Sequence, residues 1–175
     1  MIKGTKIILR TVRETDLDTL FALRSDIRNR GEYIPHVLQS ETAFKKEFHE
    51  TGFWTDNGGQ LLICDKDEQI VGIIFSDREP SYFNGVEIGY TLFDEGSRNK
   101  GYVTEAVSLL VKHLFSTKKI NRIQISVLSP NLASKRVAEK CEFKFEGIAR
   151  GALFHNGTNQ DVEVYSILRH EVALS

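Results

Sequence analysis

The sequence has few cysteines, no long apolar run and no excess of charge of either sign. Its two cysteines, Cys64 and Cys141, lie far apart and outside any CxxC spacing, which indicates reduced thiols and argues against a disulfide framework. No apolar stretch approaches the roughly 20 residues of a membrane helix, and the leading MIKGTKIILR has no apolar signal-peptide core. We therefore expect a cytoplasmic protein with no membrane partner.

Charge and length are those of an ordinary globular domain. Lys and Arg number 23 and Asp and Glu 24, and the net charge of −1 gives no electrostatic reason to expect a nucleic acid partner. The 175 residues, 41% hydrophobic and 27% charged, are typical of a single soluble domain spanning 1–175. The five histidines show no ligand spacing such as H-E-x-x-H, so we expect no metal.

The most informative stretch runs from Val86 to Phe115 and predicts a strand, a loop and a helix. From 86 to 93, successive side chains alternate between apolar and polar over most of the run, as in a strand with two different faces. After a loop that contains Gly101, apolar residues recur at helical spacing from Val103 onward, which predicts a helix beginning near 103 or 104.

We call residues 98–104 the candidate phosphate loop, because they lie where this strand leads into this helix. There, unpaired N–H groups and the positive end of the helix dipole suit a phosphate. The loop has neither G-x-x-x-x-G-K-[ST] nor G-x-G-x-x-G. The candidate contacts are the backbone N–H groups of Asn99, Lys100, Gly101, Tyr102, Val103 and Thr104, with charge added by Arg98 and Lys100. A plain turn at Gly101 and a plain helix cap at Thr104 are the alternatives.

The remaining elements predict two leading helices and a mostly antiparallel sheet. In chain order they are a strand at Lys6–Val12, helices from Arg13 to about Ile27 and from Glu41 to about Glu50, strands at Gln60–Cys64, Ile70–Phe75 and Arg122–Leu128, a helix at Leu132–Lys140, and strands at Lys144–Phe154 and Gln160–Leu168. The expected fold class is α/β (α+β), with a mixed sheet of about seven strands and about four helices. The strands of Glu87 and Ile125 should be parallel neighbours in a βαβ unit.

Particular side chains of these helices are expected to cap them or to face the core. Ser40 is a plausible N-cap of the second helix. The expected inward residues of the first and last helices are Leu17, Leu20, Phe21, Ile27, Ala133, Val137 and Cys141.

Glu87 is the main candidate for proton transfer. On an edge strand it would be a solvated side chain, but its strand is expected to be central, where both faces are usually covered. A carboxylate held there without a role costs stability, whereas one removed from bulk water accepts a proton more readily near neutral pH.

Asn131 and Ser134 form an N-x-x-S pair on one turn of the last helix. An N-cap with an exposed serine and a pair that contacts a ligand are equally compatible with this spacing. Tyr33, His36 and Trp54 are polar aromatic residues of predicted loops, and they are candidates for lining an acceptor pocket.

The loop Arg98-Asn99-Lys100-Gly101-Tyr102-Val103 resembles that of the acetyl-CoA-dependent N-acetyltransferases of the GNAT superfamily, with the pattern [Q/R]-x-x-G-x-[G/A]. Arg98 and Gly101 match, whereas Val103 replaces a Gly or Ala. Within the superfamily, RNKGYVTEA looks most like the enzymes that acetylate ribosomal proteins on an N-terminal alanine or serine. The resemblance covers nearly the whole chain and implies the GNAT fold, with acetyl-CoA as co-substrate.

The resemblance also implies roles for individual residues. Glu87, eleven residues before Arg98, corresponds to a general base. The pantetheine arm would lie along the strand near Leu92 and Phe93 and contact Asn131. Since Ala138 stands where many members carry the tyrosine that protonates the thiolate, Ser134 or a water would be the acid. Glu142 occupies a helix end where the family favours glycine.

The resulting hypothesis is direct transfer of acetyl from acetyl-CoA to a primary amine, above all the N-terminal α-amine of a protein. One alternative is a small-molecule amine such as a polyamine or an antibiotic, and another is a non-catalytic acyl-CoA-binding module. An ordinary α/β nucleotide-binding domain is a further alternative. A monomer and a homodimer are both compatible with the sequence.

Overall fold

The computed structural model describes residues 1–29, 31–34, 38–78 and 84–173. Within these residues it contains four α-helices and nine β-strands. Their bounds are β1 Ile2–Lys3, β2 Ile8–Arg10, α1 Leu17–Ser25, α2 Glu41–Thr51, β3 Trp54–Thr55, β4 Gly58–Cys64, β5 Ile70–Arg78, β6 Gly85–Leu92, α3 Tyr102–Thr117, β7 Arg122–Leu128, α4 Leu132–Lys140, β8 Lys144–His155 and β9 Thr158–Leu168. This confirms a mixed α/β fold with a mostly antiparallel sheet, in which the two-residue strands β1 and β3 were not predicted.

The chain divides into two compact units. The first comprises Met1–Phe75 and Tyr90–Ala106, and the second comprises Ser76–Gly89 and Val107–Ser175. Strands β5 and β6 and helix α3 each supply residues to both units. The single domain expected from the sequence stays a prediction.

In the first unit the strands follow the order β1-β2-β4-β5, with the end of β6 next. Antiparallel pairing sets Ile2 opposite Leu9 and Leu9 opposite Ile63. Strand β2 is shorter than the predicted Lys6–Val12 at both ends, and at its start the backbone N–H groups of Lys6 and Ile7 donate to the Glu105 carboxylate.

The core of the first unit is rich in aromatic rings on its two helices. Phe44 of α2 is buried, and its ring centroid lies 5.5 Å from that of Phe21 and 5.0 Å from that of Phe53. Leu17 and Leu20 are buried as predicted, and Phe21 packs against this core. The predicted cap of α2 is confirmed, since Oγ of Ser40 accepts the N–H of Ala43 at 3.2 Å.

The predicted burial of Ile27 is wrong, because its side chain is 62% exposed. Helix α1 ends at Ser25, two residues earlier than expected, since Asp26 adopts an extended conformation. The Asp26 carboxylate then accepts the N–H of Arg28 at 3.0 Å. This local turn takes the chain away from the helix axis and turns Ile27 out of the apolar stripe.

In the second unit the strand order is β6-β7-β9-β8. Strands β6 and β7 are parallel, with Glu87 opposite Gln124, which confirms the βαβ prediction. Strands β8 and β9 form an antiparallel hairpin. Its turn is at Asn156 and Gly157, with φ of 48° and 81°, the left-handed pair that suits the twist of two strands.

Helix α4 has its predicted bounds, but its buried face is not the predicted one. Ala133 is exposed, whereas Ala138 and Cys141 are buried and Val137 is half-buried. Eight residues advance an α-helix about 80° beyond two full turns, so Ala133 does not share a face with Cys141. The helix ends with Glu142 at φ 64°, and the N–H of Phe143 donates to the carbonyl of Ala138 at 3.0 Å. Glu142 thus occupies the left-handed position that usually takes glycine.

Candidate functional site

The expected site residues fall in both units. In the first unit, the candidate phosphate loop follows β6 and a short 3-10 turn at Glu95–Ser97. Asn99 has a φ of 60° and Gly101 a φ of 81°. Glycine adopts this left-handed conformation freely, and asparagine tolerates it better than most residues. The sequence of the loop therefore permits two sharp reversals within three residues.

Helix α3 begins at Tyr102, one residue earlier than the nearer predicted start. Its first helical hydrogen bond runs from the N–H of Glu105 to the carbonyl of Gly101, at 3.0 Å. Thr104 therefore lies inside the first turn, and the alternative that it caps the helix is wrong. The N–H groups of a first turn precede the helical hydrogen-bond ladder and carry the positive end of the dipole. Such groups bind phosphate.

The side chain of Glu105 fastens the start of α3 to the N-terminal segment. Its carboxylate accepts hydrogen bonds from the N–H of Thr5 at 2.5 Å, from Oγ1 of Thr5 at 2.6 Å, and from the N–H groups of Lys6 and Ile7 at 2.8 and 3.1 Å. Burial would raise the pKa of Glu105, but these hydrogen bonds outweigh it and lower the pKa below its ordinary value. The carboxylate therefore holds the first turn of α3 and residues 5–7 together.

Lys6 lies beside the candidate phosphate loop, a neighbour that the sequence did not suggest. Its Nζ donates to the carbonyl of Lys100 at 2.9 Å, and a Cβ at Gly101 would lie 3.1 Å from the same nitrogen. Its ammonium thus adds a positive charge to those expected from Arg98 and Lys100, whose side chains are exposed. Since 94 residues separate Lys6 from Lys100 in the chain, no local pattern could have revealed the contact.

Leu92 is the last residue of β6, and Phe93 follows it, before the 3-10 turn that leads to the loop. Leu92 is half-buried, whereas the ring of Phe93 belongs to the core of the first unit. The N–H of Phe93 donates to the carbonyl of Val71 at 3.0 Å, so that group is used within the sheet. A Cβ at Gly72 would lie 2.3 Å from the carbonyl oxygen of Thr91, and only glycine permits so close an approach of the two strands.

In the second unit, Glu87 lies on β6 between β5 and β7, the central position that the sequence predicted. The side chain is half-buried. Its Oε2 accepts a hydrogen bond from Nε2 of Gln124 at 3.2 Å. The structure therefore places a carboxylate on an inner strand with a neutral donor opposite it.

Asn131 and Ser134 lie on the first turn of α4, as predicted. Oδ1 of Asn131 accepts the N–H of Ser134 at 3.0 Å, so the N-cap interpretation of Asn131 is confirmed. Both residues are half-buried. A role for either in binding or catalysis stays a prediction.

Of the three residues expected to line the acceptor pocket, the structure describes two, Tyr33 and Trp54. Trp54, on β3, is half-buried, and a Cβ at Gly59 would lie 2.9 Å from its ring, so the indole packs on the backbone of β4. Tyr33 is also half-buried. His36 lies outside the described residues, so its prediction has no structural counterpart.

The described ranges contain neither a metal-binding cluster nor a membrane-spanning helix. In these ranges, no three His, Cys, Asp or Glu side chains are grouped so that they could hold a metal ion. None of the helices found there is both long and apolar enough to cross a membrane.

Comparison with known proteins identifies relatives along most of the chain. Residues 6–144 match the family described as Acetyltransferase (GNAT) domain. The chain is 30% identical over 187 aligned residues to "Probable N-acetyltransferase YjcK" of Bacillus subtilis (strain 168), covering 96% of this chain and 97% of that protein. It is 27% identical over 138 residues to the ribosomal-protein-serine acetyltransferase of Escherichia coli (strain K12), covering 75% of this chain and 74% of that enzyme.

A solved structure with the same fold is that of spermidine N-acetyltransferase from Vibrio cholerae in complex with CoA and spermine. It aligns with a TM-score of 0.83 and 18% sequence identity, covering 96% of this chain and 98% of that chain. At this identity the likeness concerns the fold alone.

Proposed function

The chain belongs to the GNAT acetyltransferase family, and within this family we propose that it transfers the acetyl group of acetyl-CoA to the N-terminal α-amine of a protein. The observation that supports acetyl-CoA most directly is the candidate phosphate loop. Two left-handed residues reverse its backbone, its last three residues belong to the first turn of a 16-residue helix, and the ammonium of Lys6 lies beside it. These features suit a diphosphate.

The proposed roles divide between binding and proton transfer. The loop N–H groups, with Lys6, Arg98 and Lys100, would bind the diphosphate of acetyl-CoA. The pantetheine arm would extend along the end of β6, near Leu92 and Phe93, and contact Asn131.

In the chemical step, Glu87 accepts a proton from the ammonium of the acceptor through a water. The freed amine attacks the thioester carbonyl, a C–N bond forms, and the C–S bond breaks. A backbone N–H near Leu92 would stabilise the oxyanion. Ser134 or a water then gives a proton to the departing thiolate and takes in its place the second proton that the nitrogen loses as the amide forms.

An N-terminal α-amine suits this arrangement better than a lysine side chain. Its reference pKa is about 8, against about 10.4 for lysine, so a modest base is enough to deprotonate it. In this proposal the base is Glu87, whose carboxylate accepts one hydrogen bond, from the neutral amide of Gln124. The chain is also similar to a ribosomal-protein-serine acetyltransferase, and this similarity supports a protein as the acceptor. A cytoplasmic location and a monomeric or homodimeric state stay predictions from the sequence.

The test is a thiol-release assay with acetyl-CoA and three sets of acceptors. The first set contains peptides with the alanine and serine N-termini of ribosomal proteins, the second contains polyamines, and the third contains aminoglycosides. We expect turnover with the peptides and none with the same peptides after chemical acetylation of their α-amine. Turnover restricted to polyamines or aminoglycosides would show that the acceptor is a small-molecule amine and not a protein N-terminus. Binding of acetyl-CoA without thiol release from any acceptor would remove the catalytic proposal.

A further inference from the structure

A row of polar side chains crosses four strands of the second unit and ends at Glu87. We call it the polar row, and it consists of Glu87 on β6, Arg122 and Gln124 on β7, Ser166 on β9 and Glu146 on β8, whereas Ser126 of β7 lies beside the row and is not a member. Backbone pairing sets Gln124 opposite both Glu87 and Ser166. The row therefore follows the direction of the sheet hydrogen bonds, with Gln124 at its centre.

The outer half of the row fixes Arg122. Its Nη1 and Nη2 donate to the two carboxylate oxygens of Glu146 at 2.5 and 2.7 Å. Oγ of the buried Ser166 donates to the same carboxylate at 2.6 Å. The hydrogen bond from Arg122, which is the largest influence, lowers the pKa of Glu146 below its ordinary value. A two-point pair of this kind fixes the plane of the guanidinium.

Arg122 in turn fixes the orientation of the Gln124 amide. Its Nη2 donates to Oε1 of Gln124 at 2.6 Å. A guanidinium has donors and no acceptor, so the amide oxygen must face Arg122 and the amide nitrogen must face the other way. That nitrogen donates to Oε2 of Glu87 at 3.2 Å and to Oγ of Ser126 at 3.3 Å.

The contact distinguishes the two oxygens of Glu87. Gln124 occupies Oε2, and among the described residues none donates a hydrogen bond to Oε1. We propose that Gln124 is a positioning residue, which holds Glu87 by Oε2 so that Oε1 receives the proton of the acceptor amine. This inference rests on the proposed role of Glu87 as base.

A positioning role and a merely structural role make different predictions for a double-mutant cycle. The variants are Glu87→Gln, Gln124→Leu and the two combined, assayed with acetyl-CoA and an N-terminal serine peptide. We expect Gln124→Leu to lower kcat about tenfold to a hundredfold, as misplacement of a catalytic group does, with KM for acetyl-CoA unchanged. In the Glu87→Gln background the same change should lower kcat less than about twofold, because residues that act as one unit are not additive.

The matched control is Ser126→Ala, which removes the other acceptor of the Gln124 nitrogen and leaves Glu87 bonded. Its kcat should stay within about twofold of the wild type, the range of a substitution outside the machinery. If Gln124→Leu does not fold, Gln124→Glu keeps the side-chain length and the acceptor for Arg122 but faces Glu87 with a like charge. It should lower kcat by at least about tenfold, because the hydrogen-bond donor to Oε2 of Glu87 is replaced by a like charge, which repels the Glu87 carboxylate from its position.

The outcomes separate this inference from the proposed function. An equal loss from Gln124→Leu in both backgrounds would show a structural role and overturn the inference. So would wild-type kcat in Gln124→Leu when Glu87→Gln is impaired, although Glu87 would then remain the base. A wild-type kcat in the Glu87→Gln variant itself would refute both the role of Glu87 as base and the positioning role of Gln124.

Discussion

The candidate phosphate loop and the polar row are built in opposite ways. The loop is mainly backbone, with Asn99 and Gly101 in left-handed conformations and α3 beginning at the next residue. The row is mainly side chain, a chain of hydrogen bonds through Arg122, Gln124 and Glu87. Backbone donors depend on conformation, whereas side-chain networks depend on the identity of every member. Substitutions should therefore impair ligand affinity in the loop and the rate of reaction in the row.

The largest expected effect is on the rate, at Glu87. Glu87→Gln keeps the shape of the side chain and removes the proton acceptor. We expect kcat to fall by about 10²–10⁴-fold, the usual contribution of a general base, with the affinity for acetyl-CoA within about twofold. Steady-state kinetics and calorimetry measure the two quantities. A loss of affinity as large as the loss of rate would contradict the division between the regions.

The second effect is on the stability of the unit that contains the loop. Arg10 and Asp16 form an ion pair at 2.6 Å with side chains only 9% and 11% exposed. We expect Asp16→Asn to lower the free energy of unfolding by about 3 kcal/mol, because it leaves Arg10 buried without its counter-charge. Urea unfolding measures this. The control is Glu50→Gln in the exposed pair with Lys46, which should change little.

The same pair has a predictable dependence on pH. The hydrogen bond from Arg10 lowers the pKa of Asp16 below its usual value of 3.8. A carboxyl whose pKa is lower in the folded state stabilises the protein above its unfolded-state pKa, and this contribution disappears as the pH falls through the folded-state pKa. The stability difference between wild type and Asp16→Asn should therefore shrink below about pH 4. A difference that stays constant down to pH 2 would contradict this assignment.

The third effect is on affinity, at Gly101. Gly101 and Gly157 share a φ of 81°, so alanine at either position should cost a similar amount of stability, about 1 kcal/mol. Only Gly101→Ala also places a methyl group 3.1 Å from Nζ of Lys6. We expect it to weaken acetyl-CoA binding about tenfold, the equivalent of one charge-assisted hydrogen bond. Calorimetry on both variants is decisive, because equal affinities would mean that the loop does not bind the diphosphate.

The smallest effect is at Glu142, which belongs to neither region. Its φ of 64° costs an L-residue strain that glycine avoids, partly offset by the greater freedom of glycine in the unfolded chain. Glu142→Gly should raise stability by about 0.5 kcal/mol and leave both kcat and affinity unchanged. Glu139→Gly, inside α4, should instead lower stability by about 1 kcal/mol. Thermal unfolding of the pair checks the sign.

The contrast also explains how much could be predicted from the sequence. The strand–loop–helix at 86–115 carries its own periodicity, so its elements, the glycine turn and the parallel partner of Glu87 were found correctly. Contacts that join distant residues carry no such signal. Lys6 reaches Lys100 across 94 positions and Gln124 reaches Glu87 across 37, and neither was predicted. Ile27 and Ala133 were misplaced for a local reason, since helical spacing was extended into residues that end or begin a helix.

The hydrogen bonds between Glu105 and residues 5–7 have a practical consequence for protein preparation. The loop that would take up coenzyme A is fastened to the start of the chain by the N–H groups of Thr5, Lys6 and Ile7. Proteolytic trimming up to residue 7 would remove these hydrogen bonds and also the Lys6 ammonium. Affinity measurements on protein trimmed in this way would then understate the strength of cofactor binding.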